Sequence, residues 1–281
     1  MTLKTNAYAK VNLTLDVLGK RPDGYHELKM AAQSVSLCDE LTIELTKSPA
    51  FTGLSNKAYI PGDERNHAVK AARLFRDKTR AWDGGAAITI NKRIPACAGL
   101  GGGSSDAAAV LNALNAAFDE PLTYGELVEL ALQIGSDVPF CLRGGTQLME
   151  GRGELLTPLS PLPLCSLLLV KPETQLPTPR VFGWLKPGDL RCHPDLDGFL
   201  SALENGDLPG IARRLYNVLE TVAARHERGI TEAHNDLIAA GALGASMTGT
   251  GSVVFGLFAD EADAKRAASE VGRKSYLCRG V

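Results

Sequence analysis

Neither sign of charge is in surplus: 30 basic side chains meet 32 acidic ones in 281 residues, a formal net charge of −2. Proteins that work mainly on nucleic acid or an anionic membrane surface carry a basic excess, so no nucleic acid and no membrane is expected as a partner. Paired cysteine motifs are missing as well. Cys38, Cys97, Cys141, Cys165, Cys192 and Cys278 lie far apart with no C-x-x-C spacing. That excludes a zinc site or disulfide framework written in the sequence and suits reduced thiols in a cytoplasmic protein. No apolar stretch approaches the roughly eighteen residues of a membrane span, and Lys10, Asn12 and Asp16 interrupt the early apolar residues, so no signal peptide is read there. A hydrophobic share of 44% is ample for a core, and the length fits one large or two medium domains.

Lysine is absent from the glycine-rich stretch Pro95-Ala96-Cys97-Ala98-Gly99-Leu100-Gly101-Gly102-Gly103-Ser104-Ser105. A Walker A loop requires one, and the dinucleotide fingerprint begun at Gly99 would need glycine where Ser104 stands, so both common nucleotide loops are disfavoured. What remains is a backbone stripped of side chains, running into Asp106 and the helix formers Ala107 to Leu114. The first turn of such a helix leaves free N–H groups and a positive dipole end directed at the glycines, a geometry suited to phosphate. The plain alternative is a tight turn. Three consecutive glycines lose much backbone freedom on folding, which argues for close approach by a ligand or by backbone.

Ahead of the loop, residues 9–17 alternate Val11, Leu13, Leu15 and Val17 with Lys10, Asn12, Thr14 and Asp16, the pattern of a half-buried strand. Lys10 and Asn12 then project together from its polar side, or form an ordinary solvent face. The turn at 19–24 leads to Tyr25 and His26, an aromatic and an imidazole suited to a planar ring. Residues 41–46 read as a strand and 51–63 as a loop. Asn66 caps a helix with Ala68, Ala71, Ala72 and Phe75 on its apolar side, and a strand at 86–91 delivers Lys92 and Arg93 before the glycines. Beyond the loop, Thr123 to Glu126 has the form of a capping box. Asp137 lies in a turn where it is either a cap or a functional acid. The proline-rich segment 158–163 marks a boundary between domains 1–160 and 161–281. After it, 167–170 reads as a strand, 172–182 as extended or irregular, and 208–225, 231–240 and 261–271 as helices. A second glycine loop, 244–251, precedes a strand at 252–258.

Taken together, Ala-Tyr-Ala-Lys-Val-Asn-Leu at 7–13, the loop at 95–105 and Met-Thr-Gly-Thr-Gly at 247–251 resemble the three motifs of the GHMP small-molecule kinases. The likeness covers nearly the whole chain. The segments at 21–28, 135–140 and 151–154 narrow it to a branch acting on a cytidyl-diphosphate methylerythritol. The resemblance implies an α/β (α+β) protein with a ribosomal-protein-S5-like amino-terminal domain and a ferredoxin-like carboxy-terminal domain. The implied reaction carries the γ-phosphoryl group of ATP to the 2-hydroxyl of the methylerythritol unit, with Mg²⁺ expected. By motif position, Lys10 and Asp137 are the catalytic pair, and Pro95 to Ser105 hold the ATP phosphates. Asn66 and Lys92 lie on the adenine side, while Asn12, Tyr25, His26, Thr178 and Phe182 contact the cytidyl substrate.

The chemistry of the residues agrees with these roles. A carboxylate can accept the proton of an alcohol as the phosphoryl group arrives, and a nearby ammonium keeps that carboxylate ionised while offsetting phosphate charge. Tyr25 and Phe182 are expected on opposite faces of the cytosine. Two positions depart from the family pattern: His67 replaces a usual aliphatic residue, and Asn217-Val-Leu-Glu220 replaces the commoner Asn-Asp-Leu-Glu, so no role is carried over to that segment. The rival readings are a homoserine, mevalonate or sugar kinase of the same superfamily, for which Tyr25, His26 and Phe182 are superfluous, and a nucleotide-binding regulator without turnover, for which Lys10 and Asp137 are.

Overall fold

The computed structural model describes residues 1–186 and 188–281. Packing divides the chain into two units, neither of them a continuous run: Met1–Ala9, Cys38–Pro95 and Gly101–Gly144 form the first, and Lys10–Leu37, Ala96–Leu100 and Gly145–Val281 the second. The expected boundary near residue 160 falls inside the second unit. Two long strands, β1 (Thr2–Lys20) and β2 (His26–Thr46), contribute residues to both.

The first unit adds β3 (Phe51–Ser55), α1 (His67–Thr79), β4 (Gly85–Asn91), α2 (Gly102–Ala117), α3 (Tyr124–Leu132) and α4 (Val138–Arg143). β4 runs antiparallel to β2, with Ile88 opposite Ile43 and Ile90 opposite Leu41. Phe75 of α1, Leu111 and Leu114 of α2, and Ile43, Ile88 and Ile90 of the strands are all at most 1% exposed in one cluster. Each such side chain stabilises the fold by about 1.5–3 kcal/mol. Alanines at 68, 71 and 72 on α1 and at 107 and 108 on α2 are buried where the two helices pack, and small side chains allow that close approach. The stretch 51–63 is not all loop. Its first five residues pair in parallel with β4, and Gly53 is required by packing, since a Cβ there would stand 2.9 Å from Val69 Cγ2.

The second unit contains β5 (Thr146–Gly151), β6 (Leu155–Pro158), β7 (Ser166–Val170), α5 (Thr178–Trp184), α6 (Leu196–Glu204), α7 (Leu208–Ala212), β8 (Tyr216–Asn217), α8 (Val218–Ala224), α9 (Arg228–Ala239), β9 (Gly244–Met247), β10 (Val254–Phe258), α10 (Glu261–Glu270) and β11 (Ser275–Arg279). β7, β9, β10 and β11 form an antiparallel sheet in the order β11-β7-β10-β9. Counted along the chain this is fourth, first, third, second, the ferredoxin-like arrangement that the resemblance implies. β7 and β10 are buried along their whole lengths, and α9 and α10 pack on this sheet.

Two expected elements differ here, and one open alternative closes. The single helix expected at 208–225 is interrupted because Tyr216 and Asn217 pair in parallel with Thr14 and Leu15 of β1, which takes their backbone out of the helical ladder. Residues 178–182 are helical rather than irregular, since Pro179 sits in the first turn of α5, where a missing N–H costs nothing. The polar side of β1 is not a solvent face: Lys10, Asn12, Thr14 and Asp16 are at most 7% exposed. Among the described residues no helix is long and apolar enough to cross a membrane.

Candidate active site

In the second unit, three successive carbonyls of the glycine stretch are tied back. Ala98 O accepts from the Val253 amide at 3.3 Å, Gly99 O from the Thr248 hydroxyl at 3.0 Å, and Leu100 O from the Lys10 amide at 3.0 Å. In a trans peptide the following N–H points the opposite way, so the amides of Gly99, Leu100 and Gly101 are turned away from these anchors. Gly99 has φ +76, and a Cβ on it would overlap the Thr248 carbonyl oxygen at 2.0 Å. Only glycine allows that approach. Thr248 also accepts the Asn12 amide at 3.0 Å, so its one hydroxyl joins the motifs at 7–13 and 95–105 through the one at 247–251.

Lys10 is buried, and its ammonium donates to Asn12 Oδ1 at 2.7 Å. Asn12 in turn donates to Met30 Sδ at 3.1 Å. Further along the unit, the rings of His26 and Phe182 stack with centroids 4.7 Å apart and planes 21° apart. Tyr25 is 55% exposed, with the Arg152 guanidinium 4.9 Å above its ring. His26 is thus the ring in direct contact with Phe182. His26 is the first residue of β2 and Tyr25 closes the turn before it, and successive side chains of an extended chain diverge. Burial and Lys20 hold the His26 imidazole below its ordinary value. The Thr178 hydroxyl lies 3.1 Å from that of Thr250.

In the first unit, α2 begins at Gly102 with Gly101 at its N-cap, φ +68, and no side chain caps it. The opening amides are thus left for an anion. The Ser105 hydroxyl donates to the Gly102 carbonyl at 3.0 Å, while Ser104 is half-buried. Lys92, expected on the adenine side, is buried between two carboxylates: Asp39 at 2.5 Å and Asp106 at 2.6 Å, all three side chains at most 5% exposed. Burial opposes its charge, and the two acids outweigh burial, leaving Lys92 above its ordinary value. Burial pushes Asp106 up to about 7 against the pull of Lys92, and its Oδ1 has no partner among the described residues. The triad lies against the cradle, since Lys92 Nζ would be 3.1 Å from a Cβ on Gly102. Arg93 is half-exposed and pairs with Glu40 at 2.6 Å.

Asn66 caps α1 by accepting the Ala68 amide at 3.0 Å and donates to the Pro61 carbonyl at 3.0 Å. His67 follows it, with Nδ1 buried, unpartnered among the described residues and 3.6 Å from a Cβ on Gly103. Burial, then Lys70 and Lys92, hold this imidazole below its ordinary value, so it is neutral at pH 7. Asp137 occupies the N-cap position of α4 with φ −84 and ψ −10, and its side chain makes no capping bond. The plain role of a helix cap is thereby removed. Sequence reasoning missed Asp39 and gave Thr248 no role beyond its place in the third motif. Asp39 is fully buried and accepts the amides of Arg93 and Ile94 at 2.5 and 2.8 Å, a partner more than fifty residues away that no spacing rule announces.

Comparison with known proteins adds to this geometry. Residues 66–145 match the GHMP kinases N terminal domain and residues 199–277 the GHMP kinases C terminal domain. A 4-diphosphocytidyl-2-C-methyl-D-erythritol kinase of Lachnoclostridium phytofermentans is 42% identical over 99% of this chain and 97% of its own. The enzyme of that name from Caldicellulosiruptor saccharolyticus is 44% identical over 94% and 91%. The crystal structure of a 4-(cytidine 5'-diphospho)-2C-methyl-D-erythritol kinase superposes with a TM-score of 0.84 at 36% identity, covering 99% of both chains.

Proposed function

The chain belongs to the GHMP kinases and, within them, to the 4-diphosphocytidyl-2-C-methyl-D-erythritol kinases; from this membership we propose that it transfers the γ-phosphoryl group of ATP to the 2-hydroxyl of 4-diphosphocytidyl-2-C-methyl-D-erythritol, giving the 2-phosphate and ADP. The observation that carries the reading is the row of tied-back carbonyls at Ala98, Gly99 and Leu100. A backbone so held presents amides without reorganisation, which is how charge on a transferring phosphoryl group is stabilised most effectively.

In this reading Pro95 to Ser105 take the ATP phosphates. Lys92 acts from behind them, through the helix start it lies against, and Asn66 acts on the adenine side by fixing the turn from Pro61. Asp137 accepts the hydroxyl proton as the oxygen–phosphorus bond forms, and the Lys10 ammonium offsets the negative charge gathering there. Asn12 holds Lys10. Tyr25, His26 and Phe182 take the cytosine, and Thr178 a polar edge of the cytidyl group. Among the described residues no three His, Cys, Asp or Glu side chains gather as a metal group, and Ser105 is committed to Gly102, which leaves the Ser104 hydroxyl. A Mg²⁺ that enters with the nucleotide fits so sparse a donor set, and the Ser104 hydroxyl would be the side chain to meet it. It would supply charge neutralisation on the transferring group. Six cysteines with no disulfide among them support a cytoplasmic setting.

The test is ADP release in a coupled assay with the cytidyl-diphosphate methylerythritol, homoserine and mevalonate as separate acceptors. Turnover on the first alone is expected. Equal turnover on all three, or none on the first, rejects the substrate assignment.

A further inference from the structure

Asn217 and Glu220 lie at the start of α8, in the segment that departs from the family pattern. Asn217 is 2% exposed and caps α8 through Oδ1, which accepts the Leu219 amide at 2.9 Å. A cap needs nothing more. Yet its Nδ2 also donates to the carbonyls of Met247 at 2.7 Å and Gly249 at 2.8 Å. Glu220 Oε2 accepts the Met247 amide at 2.9 Å and the Ser246 hydroxyl at 3.1 Å, while Oε1 meets His234 Nδ1 at 2.7 Å. Both polar groups of the Met247 backbone and the Gly249 carbonyl are therefore held by side chains of one helix. Thr248 stands between these fixed points. Its hydroxyl is what ties back the Gly99 carbonyl.

We infer that Asn217 and Glu220 are positioning residues for phosphate binding, holding Thr248 where its hydroxyl turns the Gly99 carbonyl back and the amides that follow outward. The inference rests on the reading of residues 95–105 as the ATP phosphate site. Val218, between them, is fully buried among the apolar residues of the unit, so the departure from the commoner aspartate leaves both anchoring side chains in place.

Asn217→Ser keeps a capping oxygen and removes both amide donors. Calorimetric titration with ADP and, separately, with adenosine distinguishes a phosphate-positioning role from general loosening. ADP affinity should fall roughly tenfold or more, the worth of one or two hydrogen bonds, while adenosine affinity stays within about twofold. Glu220→Ala should show the same contrast and Glu220→Gln should largely restore it. In turnover, the KM for ATP rises and that for the acceptor alcohol does not. Should Asn217→Ser fail to fold, Thr248→Val, which removes the hydroxyl, is set against Thr248→Ser, which keeps it. Equal weakening of ADP and adenosine, or unchanged ADP affinity in Asn217→Ser and Thr248→Val, overturns the inference. Parent enzyme that binds ADP with the expected variant contrast but does not phosphorylate the cytidyl acceptor removes the substrate assignment and leaves the positioning role standing.

Discussion

Gly99→Ala isolates the close approach on which the proposed phosphate cradle depends. The new Cβ would lie 2.0 Å from the Thr248 oxygen, 2.9 Å from its carbonyl carbon and 3.2 Å from the Gly251 nitrogen, all of them backbone atoms that cannot rotate aside. The loop must therefore move off the turn at 248–251 and give up the 3.0 Å hydrogen bond from the Thr248 hydroxyl. The φ of +76 adds about 1 kcal/mol of strain for any residue with a Cβ. With the Gly99 carbonyl released, the next amide loses its orientation, and a hydrogen bond to a charged phosphate is worth about 1.5–3 kcal/mol. One misdirected amide therefore costs about 1.5–3 kcal/mol, roughly 12- to 150-fold in kcat/KM for ATP. Gly206→Ala is the control. Its φ is +64 and nothing lies within 4 Å of the added Cβ, so it carries the strain without the overlap. Steady-state kinetics and thermal melts of the two variants should show a small loss of stability in Gly206→Ala, a larger one in Gly99→Ala, and a kinetic defect in Gly99→Ala alone. A Gly99→Ala enzyme within about fivefold of the parent for ATP would refute the argument that backbone contact with Thr248 sets the cradle.

Three further outcomes follow from the same structure. Asp137→Asn should bind ATP as the parent does and lose about 10²–10⁴-fold in kcat, the usual worth of a general base; an active variant rejects that role. Phe182→Ala removes the ring stacked on His26 at 4.7 Å and should raise the KM of the cytidyl acceptor roughly fivefold to 150-fold, from about 1–3 kcal/mol per stacked base, without changing that of ATP. Asp106 stands at about 7 in the fold against an ordinary 3.8, so between those values the folded state holds more protons than the unfolded. Its contribution to stability is then lost as pH rises through about 7. Asp106→Asn should gain in melting temperature relative to the parent from pH 5 to pH 8, and melting curves that stay parallel across that range count against the shift.

Local chemistry made much of the scaffold legible. Asn66 caps α1 and Thr123 with Glu126 forms the capping box of α3 because each pattern is complete within a few residues. The glycine loop announced its helix for the same reason. What stayed hidden was pairing across long separations. Lys92 looks like a phosphate cation when only its neighbours in sequence are known, and Asp39 converts it into the centre of a buried triad. Tyr216 and Asn217 look helical until β1 supplies their partners. His26 rather than Tyr25 meets Phe182 because the start of β2 decides which of two adjacent side chains faces it.

Long-range pairing also explains how a loop so rich in glycine can be held in one shape at all. Glycine admits the backbone to a phosphate, but the same freedom leaves its amides without a direction of their own. Direction has to come from elsewhere in the chain. Val253 and Thr248, on either side of one turn, and Lys10 of β1 provide it to three consecutive carbonyls. Loss of any one anchor frees one peptide while its neighbours remain held, so damage to the three should fall on successive amides rather than on the loop as a whole. Lys10 serves this arrangement through its main-chain amide, which any residue but proline retains. A Lys10→Met substitution therefore removes the ammonium while keeping the Leu100 anchor, and it should depress kcat far more than it weakens ADP binding. Equal losses in the two would mean that the side chain, and not the backbone of β1, holds the cradle in shape.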